Sequence, residues 1–128
     1  MNKRQNISSG AKWEDIVGYS RAVRIGNTIE VTGTVSIKDG KIYGQNDPYL
    51  QAKRCLEIIE ETVIKAGGSL EDIIRTRMFV TNIDYWNEFG KAHNEVFNTI
   101  KPATTMVEVS RLIESDYLIE IEATAIVQ

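Results

Sequence analysis

At 128 residues the chain has the size of one domain and can bury a core without disulfides or structural metals. Its formal charge of −3, from 15 basic and 18 acidic residues, leaves no basic excess for nucleic acid or an anionic membrane surface. No run nears the roughly 18 apolar residues of a membrane span, the N-terminal MNKRQNISSG lacks the apolar segment of a secretion signal, and the single cysteine, Cys55, cannot close an internal disulfide, so a reducing cytoplasm is the expected location.

In chain order, the stretch YSRAVRIGNTIEVTGTVSI reads as two strands joined at Gly26-Asn27, both of which tolerate the positive φ of a tight hairpin turn. A further turn falls at Asp39-Gly40. Asp47 then caps a helix with Pro48 at its first position. Ala52, Leu56, Ile59, Val63 and Ala66 form one apolar stripe at helical spacing, and Gly67-Gly68 end it. IIRTRMFVT is a strand. Asp84 opens a second helix, with Trp86, Phe89, His93, Val96 and Phe97 on its apolar side. Pro102 breaks the chain, and PATTMVEVSRL and YLIEIEATAIV are the last two strands, expected to form a hairpin turning near Glu114-Ser115-Asp116. The predicted order is β-β-α-β-α-β-β in one domain over residues 1–128, residues 1–16 being an N-terminal arm. That order suggests an α+β fold with a single sheet and two helices on one face.

The predicted strands have two unlike faces. Val23, Ile25, Ile29, Val31, Val107, Val109, Ile119, Ile121 and Ala123 are expected on the apolar face. Glu30, Thr32, Thr34, Met106, Glu108, Ser110, Glu120, Glu122 and Thr124 are expected on the polar one, with Arg75, Arg77 and Arg24 joining them. Such a face either stands in water or is buried against copies of itself, its acids and arginines pairing across it.

The segments GYSRAVRIGNTIEVTG, AGGSLEDIIRTRMFVTNIDYWNEF and PATTMVEVSRL…LIEIEATAIV together resemble the RidA (YjgF) family of reactive-intermediate deaminases, from about Val17 to Val127. The resemblance implies a chorismate-mutase-like fold and a homotrimer whose sheets line a central barrel, with ligand clefts between subunits. It also implies hydrolysis of small enamines and imines, such as 2-aminoacrylate, to a 2-keto acid and ammonia, with no metal or cofactor. Position by position, the family's cleft tyrosine matches Tyr19, its water-orienting glutamate matches Glu120, and its cleft floor matches Thr32-Gly33. Its carboxylate-binding arginine falls at Thr104, the cysteine two residues on at Met106, and an asparagine of the second helix at Gly90. A guanidinium grips a carboxylate through two charge-assisted bonds where a threonine hydroxyl offers one neutral bond, a difference of about 2 kcal/mol. The pattern therefore resembles an arginine-lacking branch that is not a standard 2-aminoacrylate deaminase. The implied function is binding or hydrolysis of a small imine, enamine or carbonyl metabolite. The alternative is a non-catalytic small-metabolite binding protein on the same trimer. A ribonuclease role, also attached to the family, has no His-based acid/base pair or basic surface to support it.

On this reading Glu120 is the candidate catalytic group. Tyr19, Thr32, Gly33, Thr104 and Met106 are candidate ligand contacts. Arg21, two residues past Tyr19, and Arg111 are candidate replacements for the missing cation, each with a surface or interface role as the plain alternative. Trp13 either staples the arm or caps the cleft. His93 has no partners at metal-ligand spacing and reads as a partly buried structural histidine. Cys55 reads as a structural thiol, since no base or cation beside it argues for a low pKa.

Overall fold

The computed structural model of the chain describes residues 3–128. Its elements are β1 (Gln5–Ile7), β2 (Ala22–Ile25), β3 (Thr28–Val35), β4 (Ile37–Lys38), β5 (Lys41–Ile42), α1 (Pro48–Lys65), β6 (Ile73–Val80), α2 (Trp86–Phe97), β7 (Ala103–Glu108) and β8 (Ile119–Ile126). The predicted order is present, with β1 and the small β4–β5 hairpin added. Among the described residues, six strands form the main sheet in the order β1-β2-β3-β8-β6-β7. The α+β class and the two helices on one face are as expected: α1 packs on β3 and β8 and lies against α2.

The local signals explain the elements. The Asp47 carboxylate accepts the Leu50 N–H at 3.0 Å, satisfying one of the orphan donors at the start of α1. The α1 stripe of Ala52, Leu56, Ile59, Val63 and Ala66 is buried throughout. It meets Ile29, Ile119, Ile121, Ala123 and Ala125 from the sheet, with Phe89 and Phe97 closing the core from α2. Gln51 is also fully buried. Its amide donates to the carbonyls of Gly44 (3.1 Å) and Asp116 (3.0 Å) and accepts from Leu118 N–H at 2.8 Å. One side chain thus ties α1 to the segment that leads into β8.

Five expectations are corrected. The last two strands are not a hairpin: β7 runs parallel to β6, while β8 inserts between β3 and β6 and is antiparallel to both. Consecutive strands are neighbours often but not always, and here β8 takes the centre of the sheet. The faces of β7 are also reversed. Thr104 and Met106 stand opposite Thr76 and Met78 of β6, whose side chains are buried toward the helices, and paired residues share a face. Thr104 and Met106 therefore point to the helix side, and Val107, 42 % exposed, to the open side. Similarly Ala22 and Arg24, paired with Val31 and Ile29, face the helices, and Val23 and Ile25 do not. Arg24 leaves the open face to donate to the Ala66 carbonyl at 2.6 Å, a cation closing the C-terminal end of α1. Thr34 is buried because the β3–β8 register shifts between Val31 and Thr34, a bulge that turns it inward. Finally, a short turn at Ile83–Tyr85, capped by the Asn82 side chain, precedes α2, and Trp86 is 56 % exposed instead of packed.

The open sheet face carries the expected charge pattern. Arg77 and Glu122 approach to 3.5 Å, Arg75 donates to the Thr105 hydroxyl at 2.7 Å, and the Thr124 hydroxyl donates to Glu30.

Candidate ligand-binding site

A cavity of about 290 Å³ opens where the β3 bulge, the start of β8 and the N-terminal arm meet. Its polar lining comes from Tyr19, Arg21, Thr32 and Glu120, and its apolar wall from Trp13, Val17, Ile37 and Ile113 among others. Six sequence-predicted site residues thus converge: Glu120, Tyr19, Thr32, Gly33, Arg21 and Trp13 line one space.

The bulge makes the close approach at its centre. A Cβ placed on Gly33 would lie 2.1 Å from Glu120 Oε2, so the carboxylate occupies the space that any side chain at position 33 would fill. Burial pushes the Glu120 carboxyl above the ordinary range, neighbouring Glu122 pushes it further, and Arg21 pulls it partly back. Arg21 Nη2 donates to the Gly33 carbonyl at 2.6 Å. Its Nε is buried and, among the described residues, has no partner. A buried N–H without an acceptor is costly, and this one belongs to a side chain that lines the cavity. Cys55 is buried too, and burial, with Glu120 adding to it, pushes its thiol up, as expected for a structural cysteine.

The arm is an ordered wall of this cavity. Glu14, only 6 % exposed, accepts from Ser8 Oγ at 2.8 Å and from the Ser9 N–H at 3.0 Å and its hydroxyl. Burial disfavours the charged carboxylate, but the Ser9 and Ser8 bonds and Arg21 outweigh it and hold the group below its ordinary value. The turn at Glu14–Gly18 follows, leaving Ile16 and Val17 each 68 % exposed. Trp13 lines the cavity, with the ammonium of its neighbour Lys12 over its ring at 5.0 Å. Glu14 was missed by sequence reasoning; the two serines ahead of it are the signal that marks a buried, bonded carboxylate.

Thr104 is elsewhere. It lines a second cavity of about 310 Å³ with Gly90, His93, Phe97 and Lys101. Thr104 stands level with Thr76, and Thr76 with Ala123, three positions along β8 from Glu120. At strand rise and spacing the two sites are about 14 Å apart, and their side chains leave opposite faces of the sheet. Gly90, which aligned with a family asparagine, does share the space with Thr104. Met106 packs against the core and Arg111 is exposed in the loop after β7; neither lines either cavity.

Around Thr104 three polar groups form a chain. Thr76 Oγ1 is 2.9 Å from His93 Nε2 and 2.7 Å from Thr104 Oγ1, and Thr104 Oγ1 is 3.4 Å from His93 Nε2. Burial holds the His93 imidazole below its ordinary value, so it is neutral near pH 7. Its ring lies 4.6 Å from that of Phe97, tilted by 41°. Among the described residues no group of three His, Cys, Asp or Glu side chains is placed to hold a metal ion, and no helix is long and apolar enough to cross a membrane.

Comparison with known proteins gives this arrangement its relatives. Residues 10–127 match the family model described as Endoribonuclease L-PSP. An uncharacterized protein of Streptomyces coelicolor is 34 % identical over 121 residues, covering 94 % of this chain and 90 % of its own length. A RutC family protein of Pyrococcus abyssi is 37 % identical over 109 residues, 84 % of each chain. A solved structure from Mycobacterium tuberculosis, described as a member of the highly conserved YjgF/YER057c/UK114 family, superposes with a TM-score of 0.90 at 44 % identity, covering 98 % of this chain and all of that one. The fold, the family model spanning nearly the whole sequence and these relatives agree that the chain belongs to the Endoribonuclease L-PSP family, the YjgF or RidA family of the sequence resemblance.

Proposed function

We propose that the chain binds a small imine, enamine or carbonyl metabolite and hydrolyses its C=N form, with Glu120 as the group that handles water. The observation that carries this reading is the Glu120 carboxylate, seated over Gly33 beside Tyr19 and Arg21 with its proton affinity raised by burial. A carboxyl with a raised pKa is a stronger base than an ordinary carboxylate and can return the proton it takes. As carboxylate it takes a proton from water as the oxygen adds to the imine carbon, and the nitrogen takes up a proton from solvent in the same step. The carbinolamine then expels ammonia, Glu120 returning its proton to the departing nitrogen while the carbinolamine hydroxyl proton is lost to solvent. The net change is imine plus water to carbonyl plus ammonia, with no redox step. Tyr19, Thr32 and Arg21 orient the ligand, and Trp13 and Val17 shield it.

The family's clefts lie between subunits, and we propose the same here: a homotrimer in which the Glu120 cavity of one copy faces the Thr104 cavity of the next. The charged open face of the sheet, with Arg75, Arg77, Glu30 and Glu122 in bonding positions, supports its burial against copies. The lone thiol, Cys55, is consistent with a cytoplasmic protein. Hydrolysis of a small imine without a carboxylate, with 2-aminoacrylate or iminopropionate as the carboxylate-bearing comparison, followed by ammonia release, tests the enzyme reading. Glu120→Gln is expected to lower the rate by about 10²-fold or more; robust turnover by that variant would refute the assignment. One observation favours the second reading, a binding protein without turnover: Thr104 offers a neutral hydroxyl already engaged with Thr76. A thermal shift by a small carbonyl compound with no turnover of any imine would decide for it.

A further inference from the structure

A partly buried group that the proposed chemistry leaves unused is His93. Thr76 is fully buried, and its hydroxyl has two neighbours, His93 Nε2 at 2.9 Å and Thr104 Oγ1 at 2.7 Å. A hydroxyl donates once, so these three groups form a chain that runs in one of two directions. If Nε2 is bare, it accepts from Thr76, Thr76 accepts from Thr104, and Thr104 shows the cavity only lone pairs. If Nε2 carries the proton, it donates to Thr76, Thr76 donates to Thr104, and the Thr104 O–H is free to donate outward. Its present alternative acceptor is the Pro102 carbonyl at 3.3 Å, a long bond that a ligand acceptor can replace at little cost.

The surroundings choose among ligand chemistries. The one formal cation lining this cavity is Lys101, which is exposed, so its charge is screened by water. Lys101 is also held at φ +51° with its N–H on the Phe97 carbonyl at 2.9 Å, a strained conformation for a side-chain-bearing residue. That corner fixes Pro102 and the start of β7, and with them the place of Thr104. Gly90 leaves open space on the α2 side. Besides His93, the cavity thus has room, two neutral polar side chains, the oriented Thr104 hydroxyl and the exposed Asn94 amide, and no buried charge to hold an oxyanion.

We propose that His93 is a positioning residue which, through Thr76, turns the Thr104 hydroxyl into a donor for the uncharged carbonyl oxygen of a small ligand, so that this cavity selects a neutral aldehyde or ketone group over a carboxylate. The inference rests on the small-metabolite reading above and names the group that the Thr104 side of the site takes.

The chain contains a single histidine, so one pair of imidazole ¹⁵N signals reports the tautomer of His93 in the full-length protein. The labelled protein is titrated with butanone and, separately, with butyrate. The expected result is saturable butanone binding with Nε2 as the protonated nitrogen, and no comparable effect of butyrate. Thr76→Val, close in volume, removes the linking hydroxyl while leaving Thr104 in place, so that only the long 3.4 Å approach of Thr104 Oγ1 to His93 Nε2 remains. It is expected to weaken butanone binding about three- to tenfold and to leave the His93 signals unresponsive. Folding of the variant is checked by its amide spectrum, and Thr104→Val provides a second cut at an exposed position. Butanone bound with Nε2 bare, or equal affinity in both variants, or butyrate engaging His93 as butanone does, each overturns the inference. Butanone binding that shifts the surroundings of Tyr19 and Glu120 with His93 silent would overturn it while the small-metabolite reading stood; no binding of any carbonyl or imine probe would end both.

Discussion

Gly33→Ala isolates the contact on which the Glu120 assignment depends. The added Cβ would sit 2.1 Å from Glu120 Oε2, against an ordinary contact of about 3.5 Å, so the carboxylate must move by roughly 1.4 Å. The backbone at position 33 is not in the left-handed region, and the obstructing atom ends a flexible side chain. Stability should therefore change little, since the alanine also restricts the unfolded chain, a gain of about 0.4–1 kcal/mol. The chemistry should change greatly, because displacement of a reacting group by about 1 Å can cost 10²-fold. Two assays separate these effects. Urea unfolding is expected to give a midpoint close to the parent's. ¹³C-detected titration of the Glu120 carboxyl is expected to show its pKa falling toward the ordinary glutamate value as the group swings out to water. If Glu120 titrates in the variant as it does in the parent, the seat over Gly33 is not what sets its proton affinity, and the reasoning fails whatever the activity.

Glu120 also leaves a mark on stability against pH. Its folded pKa is raised, so its contribution is fully present below the unfolded value of about 4.3 and is lost as pH rises through the folded value; Glu120→Gln should flatten the melting temperature in that window and raise it near pH 7. Gln51→Ala strands the Gly44 and Asp116 carbonyls and the Leu118 N–H and is expected to cost about 3 kcal/mol in urea unfolding. Arg24→Ala removes the cation bonded to the Ala66 carbonyl and should cost about 1–2 kcal/mol by the same measurement. If the cleft joins two copies, a mixture of inactive Glu120→Gln and a ligand-binding-defective Thr104 variant, refolded together, should regain about a quarter of the parent's sites; no recovery in mixed trimers would refute the shared cleft.

What the sequence made legible was local. The Asp47-Pro48 cap, the α1 stripe and the Gly26-Asn27 turn each depend on residues within a few positions, and each stands as read. What it concealed was pairing over distance. The segment between β7 and β8 looks like a hairpin loop because nothing near residues 114–116 says that β8 will lie between β3 and β6. The reversed faces of β7 follow from that error, since a parallel register to β6 decides which residues turn to the helices. On the site, the family pattern marked Tyr19, Glu120 and Gly33, but His93 and Thr76 are 17 residues apart and Thr76 and Thr104 are 28 apart, so no motif spacing joins them. Trp13 lines the cavity, beside the bonds of Glu14 to Ser8 and Ser9 that fold the arm.

The bulge in β3 joins fold and chemistry. Without the shift between Val31 and Thr34, strict alternation would put Thr34 on the same face as Glu30 and Thr32, and the α1 side would lose the buried Thr34 that closes it. With it, the chain gains one glycine whose missing side chain makes room for a carboxylate, and whose carbonyl takes the Arg21 guanidinium at 2.6 Å. Arg21 therefore serves the backbone first and the cavity second. Its charge holds the Glu120 carboxyl below where burial and Glu122 alone would put it, while its unpartnered Nε still has an acceptor to find. A ligand that supplied that acceptor would relieve the cost of the buried donor, so on the proposed reading the residue that tempers the acid would also favour binding. Arg21→Lys would keep the charge and lose the planar fork, and by this argument it would weaken binding while leaving the direction of the Glu120 shift unchanged.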